Sequence, residues 1–433
     1  MSDARAGRAE WPATRSRTVR VQGATGLTRS MRVRRTVVTG AGAVTPVGGT
    51  VDETWAALQA GTNGAGAITE EWAGTLPVRI AARADDAFAD GLSVPERRAR
   101  DRVEQLTLVA GREAWSSAGS PDLDPTRVAV AVGTAHGGIA TTVAMQDVLG
   151  TAGYRRVSPH TITMAMANGP AAYLSLALQA KAGARAPVSA CAAGVEAILQ
   201  GRDLIRSGAA DVVVCGGAEA SIVPLSLTGF GRVRALSTRN DEPQRASRPF
   251  DAGRDGFVMG EGAVLLVLEA EEHARARGAT VLGAVDGGAL TSDAFDIVGG
   301  DPANQARTIT LALRAAGLAP ADVGLVHAHA TSTPVGDVNE AAALRAALGS
   351  PPAVTATKAS TGHLLGASGA LGALVALLAL RDGVVPPTIN LDDLDPDVDL
   401  DVVTAPRPTT ARHALVDAFG FGGHSSALVL SRE

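Results

Sequence analysis

The feature that most restricts how this chain can fold is an alternation of short apolar runs with segments of helical period, and the alternation occurs twice. In the first round, residues 36–44, 128–132, 211–216 and 263–268 read as strands. Helical segments start near Trp55 and before Leu106, then span 139–149, 164–180 (interrupted at Gly169-Pro170) and 271–277. A second round begins near Thr280, with strands at 281–285, 323–327 and 353–357 and helices at 304–316, 338–348 and 366–380, closing on a strand at 427–430. Strands alternating with helices predict a layered α/β fold with right-handed crossovers. Two similar rounds suggest an internal duplication, with halves at 31–275 and 276–433. Residues 1–30 carry six arginines against Asp3 and Glu10 and no sustained apolar period, and read as a disordered extension or as an overlong start before Met31.

One junction in the first round carries chemistry. In Ala186-Pro187-Val188-Ser189-Ala190-Cys191-Ala192-Ala193-Gly194-Val195-Glu196 a strand signal gives way at Cys191 to a helix, whose Val195, Ile198, Leu199, Leu204 and Ile205 share an apolar face. In the first turn of a helix the free backbone N–H groups and the positive dipole end favour an anion, so a thiol of ordinary pKa about 8.5 is drawn toward the thiolate. Cys191 is therefore a candidate nucleophile, against the general behaviour of free cysteines as small buried hydrophobes. Cys215, in the apolar run Val212-Val213-Val214-Cys215, reads as strand core. Sites in open α/β sheets form beyond the carboxyl ends of strands. Two further strand ends are charged with chemistry: His327-Ala328-His329-Ala330-Thr331-Ser332-Thr333-Pro334, and Lys358-Ala359-Ser360-Thr361-Gly362-His363.

Charge and composition exclude several classes. Without the six arginines and two acidic residues of 1–30, the 39 basic and 44 acidic side chains become 33 and 42, a net charge of −9, and aromatic residues are 3%. An acidic body poor in stacking surfaces argues against a nucleic-acid partner. Two cysteines make no disulfide framework or zinc comb, which points to a reducing cytoplasm. The run 36–44 reads as a strand feeding a Gly-rich turn at Gly40 and Gly42 that lacks the third glycine of a dinucleotide fingerprint, Thr45 standing in its place. The segment 362–380 is apolar enough to raise a membrane span, but His363, Ser368, its glycines and the following Arg381-Asp382 favour a core helix without membrane insertion.

Over residues 34–433 the chain resembles the elongating, decarboxylating β-ketoacyl carrier-protein synthases of the thiolase-like condensing enzymes. The matching motifs are Ser189-Ala190-Cys191-Ala192-Ala193-Gly194, His329 to Asp337, Lys358 to Gly366, Phe419-Gly420-Phe421-Gly422-Gly423, 236–243 and Arg254-Asp255-Gly256-Phe257. The resemblance implies a duplicated five-layer αβαβα fold with two mixed sheets, a homodimer, acyl and malonyl groups delivered on an acyl carrier protein, and neither metal nor cofactor. It implies that Cys191 holds the acyl chain as a thioester and that neutral His329 and His363 donate to the enolate left by decarboxylation. The backbone N–H groups of Cys191 and Phe421 would form a second oxyanion hole, with Phe421 gating the acyl pocket. Lys358 would organise the site through Asp337 and Glu340, and Thr331 and Thr333 would contact the phosphopantetheine arm. The positive island of Arg97, Arg98, Arg100 and Arg102 would dock the acidic carrier protein. His327 and Ser425 depart from the family's usual asparagines. A thiolase would need a second catalytic cysteine, a starter-unit synthase an asparagine at the second histidine, and a chain-length factor no cysteine at all. A metal site built from His327, His329, His363 and Cys191 is the remaining rival. Acyl chain length stays open, as does the choice between a fatty-acid and a polyketide or specialised-lipid pathway.

Overall fold

The computed structural model describes residues 34–350 and 352–433, so the extension at 1–30 lies outside the described residues. The main sheet is built from β1 (Thr36–Val44), β2 (Val128–Gly133), β3 (Gly183–Arg185), β4 (Val212–Glu219) and β5 (Gly262–Ala270) in the first half. The second half supplies β6 (Gly283–Ser292), β7 (Val323–His327), β8 (Ala353–Thr355), β9 (His413–Gly420) and β10 (His424–Ser431). Six helices pack on them: α1 (Arg102–Ser117), α2 (Gly169–Leu178), α3 (Ala193–Arg206), α4 (Pro302–Ala316), α5 (Pro334–Leu348) and α6 (Ser368–Asp382).

The strand sequences dictate the layering. In β4, Val213 and Cys215 face the α3/α6 core while Val212 and Val214 face α1 and α2, and all four are fully buried. Alternate side chains of a strand point to opposite faces, so a run apolar at every position needs helices on both sides. The second half repeats this, with Val416 of β9 in the α3/α6 core and Leu415 against α4 and α5. Two outer helix layers, two sheets and a central layer of α3 and α6 give the expected five-layer αβαβα stack. Helix α6, buried from Ser368 to Leu380, forms the centre of that core, and the apolar stretch 365–382 is core and not membrane span.

The strand order repeats between the two halves where residue-level repetition is faint. The complete order is β8-β7-β9-β10-β6-β1-β5-β4-β2-β3. Numbered within its own half, each sheet runs 3-2-4-5-1, parallel across the first two pairings and antiparallel across the last two. The two expected mixed sheets meet edge to edge through two register pairs, Val37 with Ala284 and Val38 with Gly283.

Two local expectations change. Gly40 and Gly42 lie inside β1, not in a turn after it: a Cβ on Gly42 would come within 1.9 Å of the Ala110 carbonyl oxygen, so the glycines are where α1 rests on the strand. Strand β9 is absent from the expected pattern because Asp417 interrupts its apolar run, yet Asp417 is buried and belongs to the site described next.

Candidate active site

The first turns of the two central helices touch. A Cβ on Gly194 would lie 2.8 Å from the Gly366 carbonyl oxygen, and one on Gly369 2.7 Å from Val195 Cγ2, so glycine allows the helix ends to meet. The residues just before those ends meet as a consequence. His363 Nε2 stands 3.0 Å from Cys191 Sγ, and its Nδ1 is 2.9 Å from Ser368 Oγ. His329 lies edge-on to His363 with ring centroids 5.5 Å apart. One ligand-type atom from each of Cys191, His329 and His363 lies within 4.8 Å of the others.

The backbone here is held in unusual conformations. Ala190 (φ 51°), Ala330 (φ 27°), Ser332 (φ 68°) and Leu365 (φ 45°) all have positive φ, and they flank the cysteine and both histidines. Such residues cost roughly 1–3 kcal/mol each and persist only where the surroundings over-determine them. Cys191 itself occupies a single 3-10 turn, Ala190–Ala192, ahead of α3, and is reached through a loop from the short edge strand β3. It is therefore neither at a strand end nor within the α-helix.

Burial pushes the Cys191 thiol up to about 12, against the opposing charge of Lys358. The thiolate expected from the helix start is thus outweighed by desolvation in the pocket. Both histidines are held well below their ordinary range, first by burial and then by Lys358, so each is a neutral imidazole. A neutral ring has one N–H and one acceptor nitrogen. Ser368 at Nδ1 can leave the N–H of His363 on Nε2, facing sulfur.

Lys358 acts on the site through the backbone. Its Nζ donates to the His329 carbonyl, while the His329 N–H donates to Glu340 Oε1 (2.7 Å) and Asp417 Oδ1 (2.8 Å), and the Ala330 N–H to Glu340 Oε2 (2.6 Å). His329 is thereby gripped at both ends of its peptide. Burial and the neighbouring Asp417 raise Glu340 well above the carboxylate range, and burial pushes Asp417 up to about 6. Lys358 is lowered by burial, with Glu340 and Asp417 opposing. Asp337 is a step further out: it accepts from the Phe250 and Ser332 N–H groups (2.8 and 3.0 Å) and faces Arg254 at 3.6 Å. It shapes the loop after His329 instead of contacting Lys358 directly.

These groups open on a cavity of about 240 Å³. Its wall includes Thr331, Thr333, Gln305 and Gly300, the apolar Ala135, Phe230, Phe257 and Leu365, and Cys191 and Phe421. Thr331 and Thr333 hydroxyls are 3.0 Å apart, and Phe421 packs on Phe230 at 6.0 Å between centroids. A cysteine sulfur, two neutral imidazoles and a lysine-braced loop at one pocket suit carbon–carbon bond formation on thioesters.

Comparison with known proteins agrees with this geometry. The family model for the β-ketoacyl synthase N-terminal domain matches residues 33–274, and that for the C-terminal domain residues 282–392. The chain belongs to the β-ketoacyl synthase family. It is 43% identical to the 3-oxoacyl-[acyl-carrier-protein] synthase 2 of Mycobacterium tuberculosis, covering 92% of this chain and 97% of that one. The Coxiella burnetii protein of the same name is 40% identical over 93% and 99%. Among solved structures, a β-ketoacyl synthase from Burkholderia phymatum superposes with a TM-score of 0.87 at 34% identity, covering 92% of this chain and 100% of that one. A type II polyketide ketosynthase in complex with its acyl carrier protein superposes at 0.85 with 30% identity, covering 93% and 100%.

Within this β-ketoacyl synthase the remaining expected residues fall in several places. His327 turns into the core below α6, its Nε2 2.9 Å from Thr357 Oγ1, and does not join the cysteine and the other histidines. Ser425 is buried in β10 opposite Phe419. The arginine island is not uniform. Arg97 and Arg98 are exposed, Arg100 stacks over Tyr173 at 4.7 Å, and Arg102 is half-buried in ion pairs with Glu261 (2.7 Å) and Asp86 (2.6 Å). Arg102 is thus a structural residue. Asp417, Ser368 and His136 escape a reading of the sequence. Only the first carries a signal there, as a lone acid inside an apolar strand beside the Phe-Gly-Phe-Gly-Gly motif.

Proposed function

We propose that this β-ketoacyl synthase performs decarboxylative Claisen condensation in fatty-acid elongation. An acyl chain passes from the thiol of acyl carrier protein to Cys191; malonyl carrier protein then loses CO₂, and the resulting enolate carbon attacks the Cys191 thioester. The new carbon–carbon bond gives 3-oxoacyl carrier protein, and the cysteine sulfur leaves with the electron pair. His329 and His363 donate N–H groups to the enolate oxygen, and the N–H groups of Cys191 and Phe421 hold the thioester carbonyl oxygen as charge develops on it. Lys358, Glu340 and Asp417 position His329. Thr331 and Thr333 meet the pantetheine arm, and Phe421, packed on Phe230, gates the acyl pocket.

The observation that carries this reading is the meeting of Cys191 Sγ with His363 Nε2 at 3.0 Å beside a second neutral histidine. No metal or cofactor enters the proposed chemistry. We take the carrier protein to dock against Arg97 and Arg98. The chain is inferred to form a homodimer through β3, an edge strand neighboured by exposed Leu176 and Val188. The same condensation in a polyketide or specialised-lipid pathway is the second reading, supported by the likeness to a polyketide ketosynthase. Intact mass spectrometry after mixing with acyl carrier protein tests the proposal: wild type should gain one acyl mass and Cys191→Ala none. Acyl gain by the alanine variant would overturn it.

A further inference from the structure

His327 ends β7, next but one before His329, and takes no part in the chemistry described so far. Its ring is buried, and Nε2 lies 2.9 Å from Thr357 Oγ1. Its other edge abuts α6 at Gly372, where a Cβ would come within 2.7 Å of His327 Nδ1 and 3.0 Å of Val416 Cγ1. Glycine inside a helix gives up about 1 kcal/mol of propensity relative to alanine, and here the space it leaves holds the imidazole. Burial, and after it Lys358, push the ring down to about 3, so it is neutral and adds no second charge beside the lysine.

Thr357 opens the turn that carries Lys358. The pairing of β7 with β8 ends at the register pair His327 with Thr355, and beyond it the Ala328 N–H donates to the Thr355 carbonyl (2.9 Å). Further out the two strand ends are linked by side chains, first His327 to Thr357 and then Lys358 Nζ to the His329 carbonyl. The Thr357 carbonyl accepts from the Ser360 and Thr361 N–H groups (2.9 and 3.0 Å), which fastens Thr357 to the single turn Lys358–Thr361. His363 is fixed separately: its N–H donates to the Val258 carbonyl (2.7 Å), and its carbonyl accepts from the Gly260 N–H (2.9 Å). Loosening Thr357 thus shifts Lys358 against His329 and leaves His363 in place. We propose that His327 is a positioning residue: through Thr357 it sets the distance between the end of β7, which leads into His329, and the turn that carries Lys358. A reacting group has to be held to within roughly 0.5 Å to act, and the inference rests on the reading that His329 donates to the enolate.

The test measures CO₂ release from malonyl carrier protein and acyl loading of Cys191 in variants that disturb the ring from its two sides. Thr357→Val removes the hydroxyl and keeps the shape; Gly372→Ala sets a methyl against Nδ1. Each should lower kcat for CO₂ release roughly ten- to hundredfold, the scale of a misplacement of up to about 1 Å, with KM within about twofold of wild type and loading near wild type. His327→Leu should do the same, and adding Thr357→Val to it should cost nothing further, since both remove one interaction. His327→Gln, which keeps a polar atom at the reach of Nε2, should recover most of the rate. Unchanged CO₂ release in Thr357→Val or Gly372→Ala, loading that falls in step with CO₂ release, or effects that multiply in the double variant would overturn the proposal. Should His327→Leu fail to fold, Thr357→Val, Gly372→Ala and His327→Gln still decide. Absence of CO₂ release from wild type would instead remove the condensation reading, and this inference with it.

Discussion

Replacing His329 by alanine should separate the two half-reactions. The ring touches the pocket and His363 but makes no hydrogen bond to sulfur, whereas His363 Nε2 lies 3.0 Å from it. Burial and Lys358 keep His329 neutral, so in the proposed mechanism it supplies one N–H to the enolate. Loss of a single preorganised donor costs about 3–4 kcal/mol, which at about 1.4 kcal/mol per decade is two to three orders of magnitude in rate. His329→Ala should therefore load acyl groups at near wild-type rate and release CO₂ from malonyl carrier protein some hundred- to thousandfold more slowly. Cys191→Ala should show the opposite, no loading with decarboxylation retained. His363→Ala should fail in both, because it removes a proposed enolate donor and the imidazole hydrogen-bonded to a thiol that burial pushes up to about 12. Loading is read by intact mass and decarboxylation by trapped CO₂ from labelled malonyl carrier protein, with and without chelator. If His329→Ala lost loading while keeping decarboxylation, or if chelator stopped either step, the assignment of paired neutral donors would be wrong and the Cys191, His329 and His363 cluster would be read as a metal site.

Three further outcomes follow from the same structure. Lys358→Met removes the buried cation facing Glu340 and Asp417, so it should destabilise the fold by about 3–5 kcal/mol, seen as a lowered melting temperature; an unchanged value would mean both carboxyls are protonated without it. Charge reversal at Arg97 and Arg98 should raise the carrier-protein KM and blunt its salt dependence with little change in melting temperature, whereas Arg102→Glu should lower the melting temperature by breaking the Glu261 pair; equal effects from all three would discard the distinction. Because the thiol pKa is raised, the thiolate fraction grows as pH rises toward about 12, so iodoacetamide labelling of Cys191 should still be climbing above pH 9. A plateau near pH 8 would show that Lys358 and the turn N–H groups outweigh burial.

The layered α/β class and the candidate cysteine were legible because both are local properties of the chain. Apolar runs mark strands wherever they are uninterrupted, and a cysteine placed at the start of a patterned helix is visible without any tertiary knowledge. The electrostatics were not legible, since they depend on what closes over the sulfur. The helix start alone argues for a lowered thiol pKa, but desolvation by elements distant in sequence decides the sign. Strand β9 and Asp417 were missed for a related reason. A buried acid breaks an apolar pattern, and only Lys358 and the His329 peptide, brought from elsewhere, explain its presence. Likewise, the arginines at 97–102 form one island in sequence, yet Arg102 is turned inward by Glu261, 159 residues further along.

The repeated topology explains why Cys191 and His363, from different halves of the chain, still touch. Helices α3 and α6 each lie between the third and fourth strands of their half, so they are equivalent elements, and the five-layer stack sets them side by side. Cys191 precedes one and His363 the other; their contact is the point where the two copies meet. The turns after β2 and β7 are equivalent too. Each presents a histidine to the cavity, His136 and His329, and each is tied down by a buried acid from the fourth strand of its half, Glu219 on β4 and Asp417 on β9. The halves share one scaffold and differ in side-chain chemistry: the first holds the cysteine sulfur, and the second holds His329, His363 and the lysine. Either half alone has a nucleophile without donors or donors without a nucleophile, so the proposed condensation needs both copies packed across α3 and α6, with glycine at Gly194 and Gly369 to bring the helix ends close enough.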